Sequence, residues 1–148
     1  MIELRDLAEA DLVWVAQQEI EIFGPAAWSA SLIWDDFMFG GKRYRGALLD
    51  GELAAYAVYG YDGDAFHLMN LAVVEGARRR GVARALVDDF LAEARAEGAP
   101  DAWLEVSVEN ASALALYRDY GFEDVRIRPR YYQPEDVDAL VMRLRLRG

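Results

Sequence analysis

Arg78-Arg79-Arg80-Gly81-Val82-Ala83 joins an apolar, strand-like run, Leu68 to Val74, to a helix-like run, Val82 to Glu97. A glycine-bearing turn that leaves a strand and opens a helix aims several unpaired backbone N–H groups at one point, backed by the positive end of the helix dipole. Such a constellation binds phosphate. No Gly-Lys-Ser/Thr follows the turn and Gly-x-Gly-x-x-Gly is absent, so neither common nucleotide loop is present. The spacing that remains is Arg-x-x-Gly-x-Ala, filled by Arg78, Gly81 and Ala83. Taken alone, it suits a solvated basic corner as well as a phosphate site.

Downstream, Trp103 to Val108 reads as a strand, and Asn110 to Tyr117 runs as a helix into Tyr120-Gly121-Phe122. Asn110 suits the N-cap, where its side-chain oxygen accepts from an early helix N–H, and Gly121 suits the left-handed residue past the helix end. The two segments in this order, the Arg-x-x-Gly-x-Ala turn and Asn-x-x-Ala-x-x-Leu-Tyr-x-x-x-Gly-Phe, resemble the pyrophosphate loop and second signature of the Gcn5-related N-acetyltransferases, which bind acetyl-coenzyme A. Asn70-Leu71-Ala72-Val73, Trp103-Leu104-Glu105-Val106, Leu116-Tyr117, Arg130-Tyr131-Tyr132 and Asp138 to Met142 narrow the resemblance to the RimI-type ribosomal-protein alanine N-acetyltransferases. It is dense from Phe66 to Met142. Earlier, Phe23 to Ser29 is similar to the family's Phe-Pro-Trp-Ser stretch, with Gly24 to Ala27 holding Phe23 further from Trp28, and Val74-Glu75-Gly76 stands where the family has Asp-Pro.

Along the chain, Ile2 to Arg5 alternates like a short strand, and Ala8 to Ile22 places Leu12, Val15 and Ile22 on one helical face. Gly24-Pro25 breaks that helix, and Ser29 caps a second one through Phe39. Arg43 to Leu49 and Leu53 to Tyr59 read as a hairpin turned by Asp50-Gly51, with Ala65 to Val74 as a third antiparallel strand. Gly98 ends the long helix, Arg128 to Val137 reads as a loop, and Asp138 to Arg145 is the last strand. The expected fold is α/β: a single domain over 1–148 with a mixed, largely antiparallel central sheet flanked by helices. The resemblance implies a splay between Leu68–Val74 and Trp103–Val108, opening a cleft for acetyl-CoA.

Glu105 lies in a strand with apolar neighbours, where an unpaired charge is costly. An arginine partner or a solvent-facing strand face would account for it. So would a general base whose pKa is raised by partial burial, the role the resemblance gives it. Tyr117 is two helical turns after Asn110 and can share its groove; it is either a packing residue or, as the resemblance implies, the acid that protonates the departing thiolate. The resemblance further assigns the cofactor to Leu71, Ala72 and Val73 through their backbone, to Arg78, Arg79, Arg80, Gly81, Val82 and Ala83, and to Asn110 and Tyr117. It assigns the acceptor to Trp28, Asn70, Tyr131 and Tyr132. Each of those four also has a structural reading: a helix anchor, a locally bonded amide, or packed loop aromatics. His67 reads as hydrogen-bonded structure, and Asp35-Asp36 as a solvated face.

The chain has no cysteine, so no acyl-cysteine intermediate can form, and with one histidine a transition-metal site is not expected. A net charge of -10 argues against general nucleic-acid binding; it suits a basic partner, or serves solubility. Without a long apolar run or a basic leader, a cytoplasmic, non-membrane protein is expected. The resemblance implies transfer from acetyl-CoA by direct attack of a protein N-terminal α-amino group, with an alanine-first ribosomal protein as the acceptor. A small-molecule amine acetyltransferase and a non-catalytic acetyl-CoA sensor are the alternatives.

Overall fold

The computed structural model describes residues 1–146. In chain order the elements are β1 (Ile2–Asp6), α1 (Leu12–Phe23), α2 (Ala30–Phe39), β2 (Arg43–Leu49), β3 (Glu52–Asp62), β4 (Ala65–Val73), α3 (Val82–Ala96), β5 (Asp101–Ser107), α4 (Ala111–Asp119), β6 (Glu123–Tyr132) and β7 (Val137–Arg145). The strands make one seven-stranded sheet in the order β1-β2-β3-β4-β5-β7-β6. Only β4 and β5 run parallel, as the intervening α3 crossover requires. This is the expected mixed, mostly antiparallel α/β architecture.

Alternation along β5 sends one set of its side chains into a core and leaves the other on the opposite face. Ala102, Leu104 and Val106 are buried with Leu86, Val87 and Phe90 of α3 and Tyr117 of α4. On the opposite face, Leu12 and Val15 of α1 and Ile33 of α2 pack with Tyr44, Tyr56, Val58 and Ala72 from β2, β3 and β4. The second pair of helices covers the β2–β4 half, so Trp103, Glu105 and Ser107 of β5 lie on a partly open surface.

The join between the two halves of the sheet positions the site. β4 and β5 pair only at Phe66–Ala102, His67–Trp103 and Leu68–Leu104. Immediately after, the β3–β4 register slips: Tyr59 faces Leu68 but Val58 faces Asn70, leaving Met69 as a bulge. A bulge bends its strand and increases local twist. Here it turns Met69–Val73 away from β5 and produces the splay.

Several local signals are realised. Asp50 and Gly51 take positive φ of 53° and 89° at the hairpin, and Gly121 follows α4 at φ 97°. Ser29 Oγ accepts from Leu32 N at 3.1 Å, and Asn110 Oδ1 accepts from Ala113 N at 3.1 Å. Asn110→Ala should destabilise the fold by about 1 kcal/mol, lowering Tm by about 2–4 °C. Asn110→Ser, which keeps a cap acceptor, should restore most of it in thermal denaturation.

Two expectations are corrected. The first helix does not run unbroken from Ala8: a 3-10 turn, Glu9–Asp11, precedes α1. Asp11 accepts from Ala8 N at 2.7 Å and from Arg5 at 2.8 Å, closing that turn. The segment from Arg128 is not a loop up to Val137, because β6 continues to Tyr132. Its outer position leaves one side unpaired, and Pro129 falls where the register slips between Arg128 and Tyr132, so the missing N–H breaks no ladder bond.

Candidate active site

The turn before α3 has the backbone its sequence requires. Arg79 and Gly81 adopt left-handed conformations, φ 63° and 83°, and Gly81 is the N-cap of α3. Among the described residues, the N–H groups from Arg79 to Arg84 have no hydrogen-bond partner, and helical bonding begins with Ala85 N to Gly81 O at 3.1 Å. The side chains of Arg78, Arg79 and Arg80 are exposed and form no ion pair among the described residues. Val82 is buried and Ala83 half-buried, so these two contribute backbone rather than side chain. The result is a cluster of donors and positive charge with no ion pair to its side chains, and it fits a pyrophosphate.

Leu71, Ala72 and Val73 lie beyond the bulge. They pair with Ala57, Tyr56 and Ala55 of β3, while their other edge faces the splay without a strand partner. Backbone groups on that edge can bond an extended polar ligand arm, leading from the turn toward β5.

Glu105 sits where the splay begins, one residue past the last β4–β5 pair. Its Oε2 lies 2.5 Å from His67 Nε2, and its Oε1 accepts from Arg128 Nη1 at 3.0 Å. Burial pushes this carboxyl up, but the bonds and charges of His67 and Arg128 outweigh it and hold the pKa below the ordinary glutamate value. The expected upward shift is therefore corrected: Glu105 has the arginine partner one reading proposed, and a histidine as well. His67 is structure-bound as expected, but its bond is to the candidate base. His67, Trp103, Glu105 and Arg128 line one hollow on the open face, with Asp62 and Arg126 at its rim.

Tyr117 is buried on α4, edge-on to Phe122 at 5.9 Å. Its hydroxyl has no hydrogen-bond partner among the described residues, and burial raises the phenol well above its ordinary pKa. Tyr132, at the end of β6, is raised chiefly by burial and also feels Tyr131, Glu105 and Tyr117. Tyr131 stacks edge-on to Tyr132 at 5.1 Å and carries the Arg128 guanidinium 4.2 Å from its ring centre. Asn110 remains accounted for as the α4 cap.

Trp28 and Asn70 meet through a buried acid of α1. Glu19 of α1 is 1% exposed. Its carboxylate accepts from Trp28 N at 3.0 Å, from Asn70 Nδ2 at 2.7 Å and from the Tyr56 hydroxyl. The available signal was its spacing, four residues after Val15 and three before Ile22, on the buried face. Asp36 likewise is not purely solvated: it accepts from Tyr44 Oη at 2.6 Å, whereas Asp35 is exposed.

A strand–turn–helix anion site beside a parallel pair that splays after three residues defines a coenzyme-A-dependent acetyltransferase fold. The model of the acetyltransferase (GNAT) family matches residues 7–122, and the chain belongs to that family. It is 38% identical over 108 residues to the [ribosomal protein bS18]-alanine N-acetyltransferase of Escherichia coli K12, covering 70% of this chain and 73% of that protein. The crystal structure of the Escherichia coli ribosomal-protein-S18-alanine N-acetyltransferase superposes with a TM-score of 0.86 at 30% identity, over 100% of this chain and 96% of that one. The fold is also that of Arabidopsis thaliana NAA60 in complex with acetyl-CoA, with a TM-score of 0.84 at 22% identity over 100% of both chains. The protein is an acetyl-CoA-dependent N-acetyltransferase. Among the described residues no helix is long and apolar enough to cross a membrane.

Proposed function

We propose that residues 1–148 form one domain that acetylates the N-terminal α-amino group of a protein, with an alanine-first ribosomal protein as its acceptor. The name of the Escherichia coli relative, an alanine N-acetyltransferase for ribosomal protein bS18, supports this acceptor class. The observation that carries the reading is Glu105, a carboxylate bonded to His67 and Arg128 one residue past the point where β4 and β5 part, in the hollow on the open face of the sheet.

Acetyl-CoA supplies the activated acyl group. Arg78, Arg79, Arg80 and the N–H groups of Gly81, Val82 and Ala83 hold its pyrophosphate, while the free edge of Leu71, Ala72 and Val73 and the side chain of Asn110 hold the arm. Trp28, Asn70, Tyr131 and Tyr132 shape the acceptor side, with Glu19 tying Trp28 and Asn70 to α1. The neutral amine attacks the thioester carbonyl; as the C–N bond forms its nitrogen becomes positively charged and acidic, and Glu105, although its own pKa is low, takes that proton directly or through water. Tyr117, kept protonated by burial, gives its proton to the departing sulfur. Transfer is direct, since the chain has no cysteine to carry an acetyl group.

An α-amino group titrates at about 7.7–8.0 and a lysine side chain at about 10.4, so near neutral pH the chain terminus provides far more neutral nucleophile. Peptides varying only in their first residue, with products read by mass spectrometry, should be acetylated at the terminus, best with alanine, and not at all when the terminus is blocked. Acetyl groups on lysine, or a preference for small polyamines over every peptide, would reassign the acceptor.

A further inference from the structure

Val13 and Ile20 on α1, and Leu32, Trp34, Met38 and Phe39 on α2, are exposed to solvent, Phe39 to 77% and Ile20 to 66%. Large apolar side chains left exposed on two neighbouring helices mark an interaction site. The two helices meet the outer core on their inner faces, so these side chains have no role in packing the sheet. Trp34 and Phe39 contact each other edge-on at 6.1 Å, and the Trp34 indole donates toward Glu9 at 3.4 Å, which ties α2 to the 3-10 turn that leads into α1.

The charge of this surface is one-sided. Between Arg5 and Lys42 the chain has no lysine or arginine and seven acids. Four of those acids are committed: Asp6 and Asp11 to arginines, Asp36 to Tyr44, and Glu19 to the buried cluster. Glu9, Glu21 and Asp35 are left exposed beside the apolar side chains. At its α1 C-terminal end the surface adjoins the site, because Ile20 and Glu21 follow Glu19, whose inward carboxylate holds Trp28 in place.

We infer that the outer face of α1 and α2 docks the basic, apolar-containing segment of the acceptor protein that lies beyond its acetylated terminus. The proposal rests on the protein-terminus reading above. A ribosomal protein is rich in lysine and arginine because it must neutralise RNA phosphates, so its chain leaving the cleft brings the complementary charge to this acidic face. Contacts made there add affinity for the whole acceptor without touching the reacting atoms.

The test compares two synthetic acceptors: a short alanine-first peptide that ends at the cleft, and the same peptide extended by a segment of lysine and arginine interleaved with leucine and phenylalanine. For the unaltered enzyme the extension should lower KM by about tenfold, the scale of one or two anchoring side chains, and added salt should erode the gain. Phe39→Ser, and the pair Glu21→Lys with Asp35→Lys, should abolish that gain and leave kcat/KM for the short peptide unchanged. Equal KM for the two peptides, an equal loss on both in the variants, or the same gain from an acidic extension would each overturn the docking surface. Failure to acetylate either peptide, with turnover of a small amine, would instead overturn the protein-terminus reading and the docking surface with it.

Discussion

Glu105→Gln lowers kcat/KM near neutral pH by about a hundredfold to ten-thousandfold, the usual worth of a positioned acid–base group. The glutamine keeps the size of the side chain and an acceptor for Arg128 or His67, so the fold survives while the charge is lost. The pH dependence separates base chemistry from mere packing. His67 and Arg128 hold Glu105 below the ordinary carboxylate range, so it is charged wherever an α-amine has a useful neutral population. The acid limb of the unaltered enzyme's profile therefore belongs to the acceptor, near its pKa of about 7.7–8.0, and should move when a less basic first residue is used. Both proteins use the free amine and share that limb, so the deficit of Glu105→Gln should hold across neutral pH and narrow only as pH falls through the low pKa of Glu105. A deficit that does not narrow there would remove Glu105 from the proton path.

The same group contributes to stability with a definite sign. Its pKa is lower folded than unfolded, so the contribution is present above the unfolded carboxylate value and lost as pH falls through the folded one. The difference in Tm between the two proteins should accordingly be largest near neutral pH and shrink in acid.

Gly81→Val weakens acetyl-CoA binding by about tenfold or more, since a left-handed conformation costs an L-residue about 1–2 kcal/mol and about 1.4 kcal/mol is a factor of ten. The added Cβ has room: the nearest heavy atom is Ile2 Cδ1 at 3.8 Å. Backbone strain at φ 83°, worst for a β-branched residue, is the cause. Relieving it turns the N–H groups of Gly81 and Val82 away from their common focus. Calorimetric titration with acetyl-CoA measures the loss directly, and the ligand-induced rise in Tm should fall with it. Unchanged affinity would remove the turn from the phosphate site.

Much of this architecture is legible in the sequence because its determinants are local. Asp50-Gly51, Ser29, Asn110 and Gly121 each solve a backbone problem within a few residues, and each is found doing so. The turn at Arg78 to Ala83 is of the same kind. Where partners come from distant strands the sequence is mute. Glu105 is visible as an acid in an apolar strand, but His67 arrives from β4 and Arg128 from β6, and their combined effect reverses the pKa shift that burial alone suggests. Glu19 is hidden for the same reason, because its donors come from β3, β4 and the α1–α2 connection. The resemblance indicated a splay; its origin in the Met69 bulge depends on the β3–β4 register, which no short window of sequence displays.

The splay also bears on solubility. Opening a sheet in its middle creates two more strand edges, each a template on which another chain could pair and aggregate. The outer edges are guarded in the usual ways: β1 is only five residues long, and β6 carries Pro129, an irregular register and alternating charge. The inner edges have no such residues, since Asn70 to Val73 and Val106 to Val108 are mostly apolar. Their safeguard is position, with α1 and α2 packed over the β2–β4 half of one face and α3 and α4 over the other face, so a foreign strand meets the gap only from the partly open face of β5. Loosening any of those helices would expose the most adhesive backbone in the protein, which ties the helices' packing to the chain's resistance to aggregation.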